Sequence, residues 1–248
     1  MDIKQIIEEL QIWKGEIPQE AIKQALNHKG QIVPVLIDIL NQVTADPEKY
    51  IKQTDYWGHI TALLILAQFH DKSACKPIAD FFSLPEDQVW ELTGEMITED
   101  LSKILASVCN GDIEPIKILI EDELADDFVR AAAIDSLLIQ LATQTTERSS
   151  IISYFEELFK GKLKKKPSFV WNHLAISIVN IYPEELFEEI DKAYKDGLID
   201  REFIPLEQVE EALESEKEEV LNWLKTNSNY SPLEDPISIL NSWMAPEE

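Results

Sequence analysis

Four histidines and two cysteines are the side chains in this sequence best suited to hold a metal ion or to act as nucleophiles. His59 and His70 are eleven residues apart, so on one helix they share a face but lie about 16 Å apart along its axis. They cannot bind one ion, whose ligands lie about 2 Å from it. A tertiary pair such as His59 with His173 stays open. We expect structural histidines, with no bound metal and no cofactor.

The cysteines give little sign of reactivity. Cys109 follows an apolar run, and no basic residue lies nearby in the sequence to activate its thiol. We therefore expect a buried, inert thiol rather than a nucleophile. Cys75 and Cys109 can form at most one bridge, which is not the framework of a small secreted domain.

Motifs for common catalytic sites are missing from the chain. No Gly-x-Gly occurs, and the single Gly-Lys pair, at Gly161, is followed by leucine rather than serine or threonine. There is no Gly-x-Ser-x-Gly nucleophile elbow and no calcium-binding loop. Paired carboxylates such as Glu95 with Glu99 are uninformative in a chain with 47 acidic residues. We predict no catalytic residue and a protein that is not an enzyme.

Aromatic residues cluster where helices are predicted to begin, at 55–57 and 169–171. Most such residues pack in a core, although tryptophan and tyrosine also anchor protein interfaces. Trp90 and Glu95 stand at a predicted bend between helices and have no evident capping role. The candidate partner-binding residues are therefore Tyr56, Trp57, His59, Trp90, Glu95, Trp171 and His173.

The charge of the chain is strongly one-sided. Lysine and arginine number 22 against 47 aspartates and glutamates, which gives a formal net charge of −25, and only three of the 22 are arginines. Such a chain is repelled by nucleic acid and by anionic membranes. Solubility is the simplest explanation. Steering of a basic partner is the sharper one, so we expect a protein partner and no nucleic-acid or membrane partner.

Neither a membrane span nor a leader segment is predicted. The longest apolar run, ITALLILAQF, is about half of what a membrane helix requires. The first fifteen residues are charged and amphipathic, unlike a signal peptide. We therefore expect a reduced, cytoplasmic protein.

Helical periodicity runs through the whole sequence, and strand signals are nearly absent. Three segments align, WGHITALLILAQF from Trp57, VRAAAIDSLLIQL from Val129 and VWNHLAISIVNIY from Val170, and an amphipathic helix follows each. Pairs of helices at a spacing of roughly 40 residues are typical of HEAT-like repeats. Because 57 to 129 is nearly twice the later interval, one further, degenerate pair should fill it. An irregular helical bundle is the alternative.

Within that interval, the stretch from Trp90 to Asp112 predicts a corner between helices. Gly94 should end one helix, and Thr98 should cap the next with Glu99 and Asp100 in its first turn. A buried stripe should follow, and Asn110–Gly111 should end the helix in a left-handed conformation. The members of the stripe are Leu101, Ile104, Leu105 and Val108.

Two regions nearer the C-terminus carry expectations of their own. The basic run 160–167 is most simply a helix end that complements the helix dipole, and docking of an acidic surface is the alternative. An acidic helix is predicted over about 205–226. Beyond it, residues 229–248 form a proline-containing tail that could dock through Ile239, Leu240 and Trp243.

Several stretches give the chain a family resemblance. ITEDLSKILASVCNGDIEPIKILIEDELADDFVRAAA, PSFVWNHLAISI and DGLIDREFI resemble an uncharacterised bacterial family of HEAT-like repeat proteins, known only as a domain of unknown function. The resemblance covers roughly residues 1–215. It implies an all-α superhelix and brings no activity and no site residue. Some members end in a SEC-C zinc motif, which is absent here because no Cys or His follows His173.

Together these features predict an all-α protein, an α–α superhelix of HEAT-like repeats over residues 1–228, followed by the tail 229–248. The leading functional hypothesis is a non-enzymatic scaffold for protein–protein interaction. One alternative is an enzyme or small-molecule-binding protein, of the lyase kind, that uses a groove of the same superhelix. Another is an acidic mimic that sequesters a basic protein.

Overall fold

A computed structural model describes residues 1–233 and 235–244, and the end of the predicted tail, 245–248, lies outside the described residues. The protein is all-α, and the described residues form no strand beyond a single antiparallel bridge between Ile12 and Tyr56. The helices are α1 (Ile3–Gln11), α2 (Gln19–Leu26), α3 (Lys29–Ala45), α4 (Pro47–Ile51), α5 (Gly58–Gln68), α6 (Cys75–Phe82), α7 (Glu86–Thr93), α8 (Met96–Glu99), α9 (Leu101–Cys109), α10 (Glu114–Glu121), α11 (Asp127–Ala142), α12 (Arg148–Glu157), α13 (Phe169–Asn180), α14 (Phe187–Lys195), α15 (Leu206–Glu214), α16 (Lys217–Thr226) and α17 (Pro236–Trp243).

The helices stack in pairs. One row runs through α3, α5, α9, α11 and α13, each packed on the next. Of their partners, α6 packs against α3 and α9, and α10 packs against α9 and α11. After α5 and α6, the interval from 57 to 129 contains α9 and α10, which pack against each other, and the shorter α7 and α8, so a further repeat pair there stays a prediction. The superhelical path of the stack stays a prediction.

Helices α5 and α11 are buried over most of their length because neighbouring helices enclose them. In α5 every residue from Gly58 to Ala67 is buried, and in α11 three consecutive alanines, 131–133, allow close approach of the neighbouring helices. Such helices must be buried either in a core or in a membrane. Across the described residues no helix is both long and apolar enough to cross a bilayer.

The corner between α7 and α10 follows the prediction in most respects. Gly94 ends α7 with φ of 52°, and Asn110 and Gly111 end α9 with φ of 35° and 92°. The predicted stripe of α9 is buried. The prediction that Thr98 is an N-cap is wrong. Thr98 lies inside the short helix α8, and its hydroxyl donates to the carbonyl of Glu95.

The acidic helix predicted over 205–226 is two helices, α15 and α16. Ser215 and Glu216 between them have extended backbone, with ψ of 158° and 132°. The break turns the chain, so that α15 packs against α13 and α14 while α16 reaches α11. The periodicity continues across the break, which is why the sequence suggested one helix.

The last described residues, 228–233 and 235–244, run back along the stack and are called the C-terminal strap. The backbone N–H of Leu233 donates to Ser107 Oγ in α9 at 3.2 Å. Helix α17 packs against α2 and α5, and Leu240 is buried there. Trp243 Nε1–H donates to Asp100 Oδ2 at 3.2 Å. The strap therefore joins the end of the chain to helices near its beginning.

The expected free thiol at Cys109 is wrong, because Cys75 and Cys109 form a disulfide. Cys75 begins α6 and Cys109 ends α9, and both side chains are buried. Their Cα atoms lie 4.9 Å apart because α6 packs on α9, across a sequence separation of 34 residues. Sequence neighbours alone could not show this pairing, since it arises from helix stacking.

The basic run at 160–167 pairs with acids of the same chain. Lys162 Nζ lies 3.1 Å from both Glu121 and Glu157, and Lys164 Nζ lies 2.9 Å from Glu123. The same Lys162 ammonium lies 5.7 Å from the centre of the Tyr154 ring. The run thus joins the loop after α10 to the end of α12.

Candidate functional site

Four aromatic rings follow one another along one edge of the stack. The ring centres are 6.0 Å apart from Trp90 to Phe128, 4.6 Å from Phe128 to Phe169 and 5.5 Å from Phe169 to Phe203. We call these four residues the aromatic ladder. They come from α7, α11, α13 and the turn before α15, so the stacking of helices brings them together.

The ladder is accessible. Phe128 and Phe203 are 42% and 48% exposed, Trp90 is partly buried against the core, and Phe169 is partly buried. Phe128 is held at the start of α11 by Asp126, whose carboxylate accepts from the backbone N–H groups of Phe128 and Val129 at 2.8 and 3.1 Å. This N-cap fixes the position from which the ring projects. Three of the four rings stand where helices begin or turns end, which leaves their faces outside the core.

A cleft of about 810 Å³ opens at the Trp90 end of the ladder. Trp90 and Phe128 meet there at 88°, so their rings form two walls at right angles. The lining residues are Glu86, Asp87, Trp90, Glu91, Asp126 and Phe128. The cleft therefore combines two aromatic walls with four carboxylates.

Tyr56 and Trp57 pack at the beginning of the stack rather than on the ladder. Trp57 stacks on Trp13 with ring centres 4.1 Å apart, and the Tyr56 ring lies 4.7 Å from that of Tyr50. Burial raises the pKa of the Tyr56 hydroxyl, and the neighbouring Tyr50 adds to the rise. Gly58 is required beneath Tyr56, since a Cβ there would lie 2.5 Å from the Tyr56 hydroxyl oxygen.

His59 is buried between the rings of Tyr56 and Phe81. Its Nε2 lies 2.7 Å from the carbonyl oxygen of Leu92, so it donates a hydrogen bond that ties α5 to α7. Burial lowers the pKa of His59 to about 4, against the smaller opposing effect of the Leu92 hydrogen bond. His59 is therefore neutral near pH 7. It supports the helix that carries Trp90 and does not reach the surface.

Trp171 and His173 are two residues apart on α13 and so point to opposite sides of the helix. Trp171 is 1% exposed, and its Nε1–H donates to the carbonyl of Lys164 at 3.0 Å, so it belongs to the core. The His173 ring is partly exposed and lies 5.8 Å from Phe169, beside the ladder. Its Nε2 is 3.0 Å from an Asp135 carboxylate oxygen but lacks hydrogen-bond geometry toward it.

Glu95 lies apart from the cleft. It is exposed at the N-cap position of α8 and does not line the cleft beside Trp90. Of the seven predicted partner-binding residues, the structure thus places Trp90 on the ladder and His173 next to it. Tyr56 and Trp57 pack at the beginning of the stack, and His59 and Trp171 are enclosed in the core.

Sequence reasoning missed Phe128 and Phe203 as site residues and left Phe169 among core aromatics. A signal for two of them was present in the repeat alignment. Phe128 and Phe169 each come directly before an aligned position, Val129 and Val170, and Tyr56 occupies the same column before Trp57. Phe203 had no such signal, because it lies in a turn outside the aligned segments.

The described residues show no cluster of three or more His, Cys, Asp or Glu side chains that could hold a metal ion. The suggested pairing of His59 with His173 does not form in this part of the chain, because the two rings contact different neighbours. The chemistry that the edge offers is accordingly that of aromatic faces and carboxylates.

Stacked helices, with no strand among residues 1–233 and 235–244, define the class, an all-α protein. The chain belongs to the family described as "Protein of unknown function (DUF1186)", whose model matches residues 1–246. The resemblance to an uncharacterised bacterial family is thereby confirmed.

Two relatives from Chlamydia are similar to this chain over nearly its whole length. An uncharacterized protein of Chlamydia muridarum is 38% identical over 249 residues, which cover 98% of this chain and 97% of the relative. An uncharacterized protein of Chlamydia trachomatis is 39% identical over 249 residues, covering 98% and 96%. No solved structure matches the chain.

Proposed function

We propose that this protein is a non-enzymatic scaffold that binds another protein through the aromatic ladder. The observation that carries the proposal is the run of four rings in mutual contact at an accessible edge. Single exposed apolar residues are common on protein surfaces, whereas contiguous apolar patches mark interaction sites. Tryptophan and other aromatic residues are also the side chains on which binding energy concentrates at protein interfaces.

Several polar groups suited to chemistry are already engaged within the fold, which supports a binding role. His59 is buried and donates to a backbone carbonyl, and the two cysteines are bonded to each other. Arg148 is held by Glu185 and by the carbonyl of Ile181. None of these groups faces the aromatic edge as an unoccupied acid, base or nucleophile.

Cross-linking and affinity purification from the native cell test the proposal with matched variants. Phe128→Ser with Phe203→Ser removes the two most exposed rings of the ladder. Ile118→Ser is the control, since Ile118 is 69% exposed on α10 and belongs to no such run. We expect a partner that is recovered with the wild-type protein and the control and lost with the double variant. Recovery of the same proteins with all three would contradict the proposal.

A further inference from the structure

The cleft between Trp90 and Phe128 has the composition of a site for an organic cation. Aromatic faces attract ammonium and guanidinium groups through the ring quadrupole, most strongly for tryptophan. Two rings at right angles with centres 6.0 Å apart offer one face and one edge around a common space. Carboxylates complete the lining, three of them from one helix, α7.

The three carboxylates of α7 have no cation of their own. Among the described residues, no ion pair involves Glu86, Asp87 or Glu91, and all three are exposed. Asp87 and Glu91 are four residues apart on a helix, where like charges repel. The fourth acid of the cleft, Asp126, is engaged in capping α11. The dipole of α7 explains acids in its first turn but not Glu91.

Elsewhere the molecule fills such settings with its own lysines. Lys162 lies 5.7 Å from the Tyr154 ring and 3.1 Å from Glu121. Three further lysines are placed in the same way, over an aromatic ring and within ion-pair distance of an acid. They are Lys29 over Phe69 beside Asp71, Lys117 over Tyr154 beside Glu114, and Lys217 over Tyr182 beside Glu185. The cleft has the same two components without the cation.

The rest of the ladder indicates the form in which the cation arrives. Beyond the cleft, the rings of Phe169 and Phe203 continue in steps of 4.6 and 5.5 Å. Alternate side chains of an extended peptide lie about 6.6–6.8 Å apart on one face. The ladder steps are shorter than this spacing, so an extended segment with one cation in the cleft can bring its next side chain on that face against Phe169 or Phe203 without a one-to-one match to the rings.

We infer that the cleft binds an arginine or lysine side chain of a basic, extended segment of the partner protein. The inference rests on the proposed function, because it names the partner that the ladder recognises. The net charge of −25 attracts such a segment over a longer range, while the cleft selects the position of the bound side chain.

Fluorescence anisotropy with a labelled basic peptide tests the inference on the full chain. The peptide is about nine residues long, with arginine at alternate positions. The cleft variant combines Glu86→Gln, Asp87→Asn and Glu91→Gln. The control variant combines Glu210→Gln, Glu211→Gln and Glu214→Gln, which removes the same charge from the exposed helix α15. We expect the cleft variant to bind about tenfold more weakly and the control to stay within about twofold of wild type.

Phe128→Leu separates the ring from the charge, because it keeps an apolar side chain at a 42% exposed position where folding tolerates the change. We expect it to weaken binding about fivefold, with circular dichroism and thermal unfolding unchanged. Equal losses in the cleft and control variants, with none in Phe128→Leu, would overturn the inference, since net charge alone would then explain binding. Spermine that binds as tightly as the peptide would overturn an extended segment as the occupant.

The outcome is distinguishable from failure of the proposed function. If a partner is lost from the purification with the ladder variant while the basic peptide fails to bind wild-type protein, the scaffold proposal stands and this inference falls. If no partner depends on the ladder, the scaffold proposal falls, and peptide binding then identifies only a cation site.

Discussion

The cleft beside Trp90 and the site of Lys162 both contain aromatic rings and carboxylates, but among the described residues only the Lys162 site contains a cation from the chain itself. Both combine an aromatic ring with two or more carboxylates. At the Lys162 site the ring of Tyr154 is 1% exposed and the cation comes from the chain itself. At the cleft the Phe128 ring is 42% exposed and no cation of the described residues is paired with the α7 acids. Lys162 joins α10 to α12 through its ion pairs with Glu121 and Glu157. The carboxylates and rings of the cleft remain free to bind a cation of another molecule.

The largest expected effect concerns the support beneath the cleft. The pKa of His59 is about 4 in the folded protein and about 6.5 in the unfolded chain, so the unfolded chain takes up a proton first as pH falls. Stability is therefore fully present above pH about 6.5 and is lost between about 6.5 and 4, by an amount on the order of 3 kcal/mol. Urea unfolding across this range measures the loss. His59→Gln should flatten the profile there, and an unchanged slope would refute the assignment.

Removing Arg148, which shares Glu185 with Lys217 of a filled site, should cost nearly as much. Arg148 donates to Glu185 and to the carbonyl of Ile181 at 2.6 Å, and its side chain is 13% exposed. Arg148→Ala leaves these acceptors unpaired, so we expect a loss of about 2–3 kcal/mol in the free energy of unfolding. Arg201→Ala is the matched control, because Arg201 is exposed over Tyr194, and it should cost less than about 1 kcal/mol. Equal losses would mean that the buried contacts of Arg148 contribute nothing particular.

The stability that Glu185 contributes at the Lys217 site should be lost at a lower pH than the stability that depends on His59 beneath the cleft. The hydrogen bond and charge of Arg148, with a further hydrogen bond from Lys217, lower the pKa of Glu185 to about 2. A lowered carboxyl pKa adds stability above the unfolded value, near 4.5, and that stability is lost as pH falls toward 2. Acid unfolding of wild type and Glu185→Gln measures this contribution. The variant should show a shallower decline below pH 4.5, and identical acid limbs would contradict the expected pairing.

The smallest effect comes from emptying the Lys162 site. Lys162→Gln removes an exposed ion pair, so unfolding should change by less than about 1 kcal/mol. The freed acids should also gain no affinity for the basic peptide, because the Tyr154 ring stays buried. Anisotropy with this variant measures both the cleft and any new site. A second binding event would show that carboxylates alone suffice and would remove the distinction between the two sites.

Local signals in the sequence accounted for much of the fold. Apolar periodicity placed the stripe of α9, and Gly94 and Asn110 marked helix ends because their backbones adopt positive φ. The repeat spacing predicted further helices between the first two aligned segments, and α7 to α10 lie there. The prediction of Thr98 as an N-cap was wrong because acids such as Glu99 follow it in either case, whether the threonine caps a helix or lies inside one.

The site was only partly predictable, because its parts meet through tertiary stacking. Trp90 was singled out by its position at a bend, but its neighbour Phe128 is 38 residues away in sequence and contacts it only once α7 and the start of α11 are in place. The Cys75–Cys109 bond escaped notice for the same reason. Two candidate partner-binding residues, His59 and Trp171, are enclosed in the core, since an aromatic or histidine at a helix start can face either side.

The C-terminal strap changes how the stack as a whole must unfold. In a linear array of repeats each pair depends only on its neighbours, so the ends can fray while the middle persists. Here the Trp243–Asp100 and Leu233–Ser107 hydrogen bonds span 143 and 126 residues. These hydrogen bonds couple the terminal segment to the middle of the stack, and the packing of α17 on α2 and α5 couples it to the early helices. We therefore expect melting to be a single cooperative event. Contacts so distant in sequence raise the contact order, so we also expect folding to be slower than for an open array of the same helices.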